Sequence, residues 1–321
     1  MKDLKSSGTT DQMEPGEQKN GAGEAYGVRI NSEDCCVFYE SGDLKLAATC
    51  DVCFRRCSIV EGGVGSCNAR SMAKGKIFPK NYGRVTALNL DPIEKKPLSR
   101  FMPGSRILSV GSYGCNMKCA FCQNSEISMA RESRIITEYV APEKLASIAR
   151  DLIPRGNIGV AYTYNEPLVG YEYVVDCAKL IRRLGMKNVL VSNGCCSEEV
   201  ADKVIPLMDA MNIDLKIFSR SGYKRLGGDL DQVQAFIRKA AASDTHLELT
   251  TLIVPYMNDN EMMFRDECDW IRSISPDIPL HITRFFPSYR MTNTAATDRG
   301  LIRRFREIAE EYLNYVYIGN M

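Results

Sequence analysis

The sequence predicts an α/β protein, a partial (β/α)6-type barrel preceded by a small cysteine-rich module. Three observations carry this reading. From Arg106 onward, apolar runs of strand length alternate with longer amphipathic runs, the pattern of βα repeats with a parallel sheet. About six or seven such repeats fit, short of the eight of a complete barrel. Upstream, Cys50, Cys53, Cys57 and Cys67 crowd into eighteen residues beside Gly62, Gly63 and Gly65, a spacing suited to a small metal-binding knuckle.

Taken in order, residues 1–34 are polar and poor in large apolar side chains, which predicts a flexible tail. Residues 35–105 hold the cysteine-rich module and a connector in which Asp91-Pro92 and Met102-Pro103-Gly104 signal turns. Residues 106–321 form the barrel. Its strands are predicted at Ile107–Ser112, Ile158–Tyr164, Asn188–Ser192, Met211–Ile217, Leu247–Val254, Leu280–Phe285 and Tyr315–Ile318. The helices between them are predicted at Glu143–Leu152, Tyr171–Leu184, Glu198–Met208, Asp231–Ala242, Glu261–Ile274 and Leu301–Tyr312. Parallel strands need such helical crossovers. An open doubly wound sheet is the alternative, and in either fold chemistry gathers at the C-terminal strand ends.

Composition narrows the function classes. The 321 residues, 45% hydrophobic and 25% charged, can bury a substantial core. Forty-one basic residues against 40 acidic ones leave a net charge of +1, so no global field draws nucleic acid or an anionic membrane. No apolar run approaches the roughly 20 residues of a membrane helix, and Met1 to Asp34 lacks the apolar stretch of a secretory signal. A cytoplasmic location is expected. Thirteen cysteines, most of them at short spacings, then point to metal in a reducing compartment rather than to disulfides.

Immediately after the first predicted strand, Cys115, Cys119 and Cys122 form a C-x3-C-x2-C loop. Three thiolates on one loop can hold three irons of a cubane cluster and leave the fourth iron open. A structural zinc site would call for four closed ligands, and the chain's two histidines, His246 and His281, are far away in sequence. With Phe121 directly before the third cysteine, the loop resembles the signature of radical S-adenosylmethionine (SAM) enzymes. That resemblance implies a [4Fe–4S] cluster whose open iron chelates the amino and carboxylate groups of SAM. Reductive cleavage then gives a 5′-deoxyadenosyl radical, with no catalytic side chain required beyond cluster and SAM.

Other predicted strand ends agree with this. Asn165, Glu166 and Pro167 stand where the superfamily has a Gly-Gly-Glu-Pro segment for the SAM amino group, although Tyr164-Asn165 replaces the two glycines. The plain alternative is a helix N-terminus with Pro167 in its first turn. Ser192-Asn193-Gly194 and Asp214-Leu215-Lys216 are similar to strand-end segments of glycyl-radical-enzyme activases, which implicates Ser192, Asn193, Asp214 and Lys216 in cofactor binding. Alternation puts Asn212, Asp214 and Lys216 on one strand face, where an Asp214–Lys216 salt bridge is the structural alternative. His281 and Arg284 rank lower, as candidates for substrate or SAM contact. Cys177 and Cys268 lie in predicted helices as packing residues.

At the N-terminus, Cys50, Cys53, Cys57 and Cys67 match a closed four-thiol site, which zinc and an auxiliary Fe–S cluster both satisfy. Buried metal-free cysteines are the alternative. Together with Asp91-Pro92-Ile93-Glu94-Lys95-Lys96-Pro97, Arg284-Phe285-Phe286-Pro287 and Tyr317-Ile318-Gly319-Asn320, these motifs resemble the radical SAM component of the AmmeMemoRadiSam system, related to pyruvate formate-lyase activating enzymes. The resemblance implies hydrogen abstraction from a protein or peptide, a flavodoxin- or ferredoxin-type electron donor, and Memo-like and Amme-like partner proteins. Radical modification of a small molecule is the alternative within the class. A non-enzymatic Fe–S or zinc-binding regulatory protein is the alternative outside it.

Overall fold

The structure is a computed structural model. It describes the backbone at 27–29, 35–40 and 43–321, and side chains from Leu46 onward. The tail expected over 1–34 therefore lies outside the described residues, apart from Gly27–Arg29.

An eight-stranded sheet dominates. Its strands, in chain order, are β1 (Ala87–Pro92), β2 (Arg106–Gly111), β3 (Asn157–Tyr162), β4 (Lys187–Ser192), β5 (Ala210–Asp214), β6 (His246–Ile253), β7 (Leu280–Arg284) and β8 (Val316–Gly319). Their order across the sheet is the same as in the chain. Strands β2 to β8 pair in parallel, and β1 is an antiparallel edge. A doubly wound sheet would reverse order at a switch point. Here the order never reverses, which defines a partial barrel and removes the open doubly wound alternative.

The predicted elements are recovered to within a few residues. Helices Pro142–Asp151, Tyr171–Arg183, Glu198–Val204, Leu230–Ala241, Glu261–Ile274 and Arg299–Glu310 fill the crossovers. Side-chain oxygens of Asp229, Asn260 and Asp298 accept the first free amides of the last three, as N-caps do. Two differences are informative. Strand β5 ends at Asp214 rather than near Ile217, because the Lys216 amide donates to the Tyr223 hydroxyl at 3.0 Å, on an unforeseen helix Arg220–Arg225. The stretch expected as connector contains β1, with Pro92 at the end of an edge strand where its missing N–H does no harm.

The sheet separates two cores. On its outer face, Val110, Val160, Leu190, Ile213, Leu249 and Ile282 pack against the helices. The inner face meets a segment rather than a closing wall: Ile93 and Leu98 pack on Ile107, Ala161, Val189 and Ala210. Polar strand residues hold that segment in place. Asn212 donates to the Pro97 carbonyl at 2.8 Å, and the fully buried Glu248 accepts from the Ser99 and Arg100 amides at 3.0 and 2.8 Å. The nearly inaccessible ammonium of Lys96 is paired with Asp91 at 2.9 Å.

Glu248 also meets His246 at 2.8 Å and His281 at 2.6 Å. Burial alone would raise its pKa, but the two histidines and the two backbone amides outweigh it and hold the carboxyl at about 2, against 4.5 ordinarily. A depressed carboxyl stabilises the fold above its unfolded pKa and loses that contribution as pH falls. Stability should therefore drop between about pH 4.5 and 2. Glu248→Gln should lower stability at neutral pH and flatten that acid-side slope, measured by urea unfolding at a series of pH values.

Candidate functional site

Loops from the C-terminal ends of β2 to β8 surround a cavity of about 700 Å³. Cys115, Cys119 and Cys122 stand on its wall together with Phe121, Asn165, Glu166, Ser192, Asn193, Asp214 and Lys216. The structure thus brings together almost every residue expected there. Pro167 is the exception: it starts the turn Pro167–Gly170 behind the wall. Beyond the expected set, Glu94, Lys95 and Ser99 of the inner segment line the cavity, as do Tyr164 and Thr250.

The cysteine loop is held by backbone contacts at both ends. Gly114 N–H donates to the Ile127 carbonyl at 3.1 Å, and Cys115 N–H to the Cys67 carbonyl at 3.2 Å. Asn116, 1% exposed, donates to the Cys195 carbonyl and accepts from Asn193 at 3.0 Å. Burial pushes the Cys119 thiol up to about 11, with Lys216 opposing, and pushes Cys115 well above the ordinary range, reinforced by Glu166. Metal loading at such thiols must release protons.

Glu166 is 3% exposed and joins two strand ends. Its Oε1 accepts from Ser192 Oγ at 2.7 Å and from Leu168 N–H at 3.0 Å, and its Oε2 from Asn193 N–H at 2.8 Å. The carboxylate is therefore an N-cap, as the plain alternative held, and also a strap between β3 and β4. Burial raises its pKa against these three donors. Of roughly four acceptor positions on a carboxylate, three are used, which leaves one toward the cavity. Asn165 is likewise committed: Oδ1 accepts from Ser112 N–H at 2.9 Å, and Nδ2 faces the Tyr113 and Gly114 carbonyls, each at 3.1 Å.

The left-handed backbone that a glycine would supply falls at Tyr164, with φ +72°. Its hydroxyl donates to Asp91 at 2.6 Å, and its ring lies under Lys96 Nζ at 4.7 Å. Lys216 and Asp214 form a 2.8 Å ion pair on the cavity wall, so the salt-bridge alternative holds as well as the cavity position. Burial would lower the Lys216 pKa, but Asp214 and the Cys119 thiol raise it overall, which keeps a cation beside the three sulfurs. His281 lines the cavity but is satisfied by Glu248 and stacks on Tyr317 at 5.2 Å. Arg284 turns away to the Thr297 carbonyl at 2.6 Å and the Phe286 ring. Cys177 and Cys268 are fully buried, as expected of packing residues.

Three thiols stand on one cavity wall, with a cation beside them, amides and carboxylates around, and space in front. Residues 109–268 match the radical SAM superfamily. The chain belongs to that superfamily, whose cofactors are a [4Fe–4S] cluster and SAM, and the soft donor set facing a cavity of this size fits both. It is 37% identical over 293 residues, 89% of this chain and 84% of the relative, to an uncharacterized protein of Methanocaldococcus jannaschii. The pyruvate formate-lyase-activating enzyme of Clostridium pasteurianum is 22% identical over 173 residues, 54% of this chain and 71% of that one. In fold, a radical SAM methyltransferase from Sphaerobacter thermophilus superposes with a TM-score of 0.52 at 11% identity, covering 92% of this chain and 76% of that one.

Gly114 sets the position of the loop. At φ +92°, an added Cβ would lie 2.6 Å from the Cys67 carbonyl oxygen and 2.8 Å from Ala69 Cβ. Gly114→Ala should cost at least about 1–2 kcal/mol from the backbone conformation alone. It should also lower iron incorporation, read by thermal unfolding and by iron content after anaerobic reconstitution.

Proposed function

We propose that the protein is a radical SAM enzyme acting on a protein or peptide, from which it abstracts a hydrogen atom as glycyl-radical activases do. The observation that carries this is the convergence of Cys115, Cys119 and Cys122 on a cavity at the C-terminal strand ends. These three thiols are the proposed ligands of the [4Fe–4S] cluster. With cluster and SAM held there, the site would have one-electron reductive chemistry and a hydrogen-abstracting radical at its disposal. The chain's own residues position and shield. Phe121 covers the loop, Asn165 and Glu166 brace the strand ends for the methionine part of SAM, and Ser192, Asn193, Asp214 and Lys216 line its further reach.

A polypeptide substrate is supported by two features. The relative from Clostridium pasteurianum is named for a protein substrate. Large apolar side chains also stand exposed on the loops at this end of the barrel: Ile136 at 95%, Tyr256 at 91%, and Phe286 and Tyr289 partly so. Direct abstraction needs the target carbon held near the radical rather than a general base, so the absence of an acid–base pair from the proposed roles is consistent with it. A flavodoxin- or ferredoxin-type protein is the proposed one-electron donor. The resemblance to the AmmeMemoRadiSam system supports Memo-like and Amme-like proteins as candidate partners. No helix among the described residues is long and apolar enough to cross a membrane, and a cytoplasmic location is part of this proposal.

Two outcomes test it. Reduced wild-type protein with SAM should release 5′-deoxyadenosine, and Cys119→Ala should lose that product by at least about tenfold, with loss of the iron normally held at this loop. Incubation with candidate partner proteins should produce an organic radical by EPR and deuterium transfer from a labelled polypeptide into 5′-deoxyadenosine. Deuterium arriving only from a metabolite, with every protein unchanged, would favour small-molecule modification and sink the polypeptide reading.

A further inference from the structure

Four other thiols converge outside the catalytic cavity. Cys50, Cys53, Cys57 and Cys67 line one small pocket behind the Cys115 loop, closed on its apolar side by Val52 and Val169. None of them is in a disulfide. Cys50 N–H donates to the Cys57 carbonyl at 2.9 Å, and Arg56 N–H to the Cys53 carbonyl at 3.1 Å, so the chain from Cys50 to Cys57 is a tight knuckle.

The surrounding donors are arranged for negative sulfur. Burial raises the thiols of Cys50, Cys53 and Cys67, and the backbone amides of Val52 and Arg55 oppose it at the first two, as those of Ala69 and Arg70 do at Cys67. A thiol is a weak acceptor, and such bonds gain strength when the sulfur is ionised. Arg70 supplies an independent sign of a missing anion. It lines the pocket and is only 5% exposed, and although one guanidinium nitrogen pairs with Glu172 at 2.6 Å, its buried Nε has no acceptor. A buried donor left unsatisfied costs about 1–3 kcal/mol, which a thiolate-bound cluster in the pocket would relieve.

The arrangement of the sulfurs selects the kind of centre. A structural zinc draws four thiolates to about 2.3 Å from one point. The four sulfurs here ring a pocket instead: among the described residues, no three cysteine, histidine or carboxylate ligands converge closely enough for a single ion. Cys115, Cys119 and Cys122 likewise do not come together closely enough for a single ion, and a cluster spreads its thiolates over several irons. We propose that Cys50, Cys53, Cys57 and Cys67 ligate a second iron–sulfur cluster, separate from the one at the Cys115 loop. It sits against that loop, since Cys67 accepts from Cys115 N–H, Ser66 from Lys118 at 2.9 Å, and Arg55 grips the Asn116 carbonyl at 2.7 Å.

The two cysteine sets can be emptied separately, so this inference and the proposed function fail independently. The full chain carrying Cys115→Ala, Cys119→Ala and Cys122→Ala together should, after anaerobic reconstitution, still hold about two to four irons with matching sulfide. Adding Cys53→Ser and Cys67→Ser should remove them. Cys53→Ser and Cys67→Ser alone should keep about four irons and the SAM-dependent spectral change of the first cluster. If the multiply substituted chains fail to fold, iron and sulfide counts on the wild-type protein decide, with about six to eight irons expected per chain. About four irons in the wild type, one zinc per chain in place of the second cluster, or no iron in the folded triple variant would each overturn the proposal.

Discussion

A parallel sheet that does not close must cover its inner face with something other than its own strands. Here the cover is the segment from Ile93 to Arg100, and the carboxylate of Glu248 is the interaction on which its placement depends. One buried group takes backbone donors from Ser99 and Arg100 and ring nitrogens from His246 and His281. An ionised carboxylate in such surroundings is tolerated only with donors of this number and quality. Because Asn212 anchors Pro97 and the Asp91–Lys96 pair anchors the segment's start, Glu94, Lys95 and Ser99 form cavity wall rather than a solvent loop.

Tyr164 carries that constraint to the cysteine loop. A tyrosine at φ +72° is strained by about 1–3 kcal/mol, and it persists where surrounding contacts over-determine it. Its hydroxyl is tied to Asp91 at one end, and its carbonyl accepts from Asn124 at 2.8 Å at the other. The ring packs so closely on Gly111 that an added Cβ there would come within 2.8 Å. A position where the superfamily pattern has glycine is thus occupied by a side chain that links the inner segment to the loop bearing the three thiols.

What was legible in the sequence follows from how local each signal is. Helix Glu261–Ile274 and the strand runs could be read because a parallel sheet covered by helices imposes its burial period on the residues themselves. The three-cysteine loop could be read because its ligands are neighbours in sequence. Strand β1 was hidden: it is an antiparallel edge with a single buried residue, ending in Asp-Pro, which looks like a turn. The fate of His281 was hidden too, since Glu248 lies 33 residues away. Glu166 shows a different limit, because a helix cap and a ligand contact share one local pattern. Only the positions of Ser192 and Asn193 reveal that its carboxylate also straps two strands.

The same reasoning explains why the cysteine-rich module packs against the barrel. A loop carrying three thiols at a strand end exposes backbone donors that the sheet cannot pair, and an unpaired buried amide is costly. The module supplies the partner for Cys115 N–H through the Cys67 carbonyl, and the Leu226 carbonyl accepts Lys118 N–H at 2.8 Å from the barrel side. Arg55 bridges both, bonding the Asn116 and Gly227 carbonyls at 2.7 Å each. The absence of a side chain at Gly114 is what lets these surfaces meet. The position of the three sulfurs is therefore set jointly by strand β2 and by the module packed on the loop, so displacement of either one shifts the cavity wall.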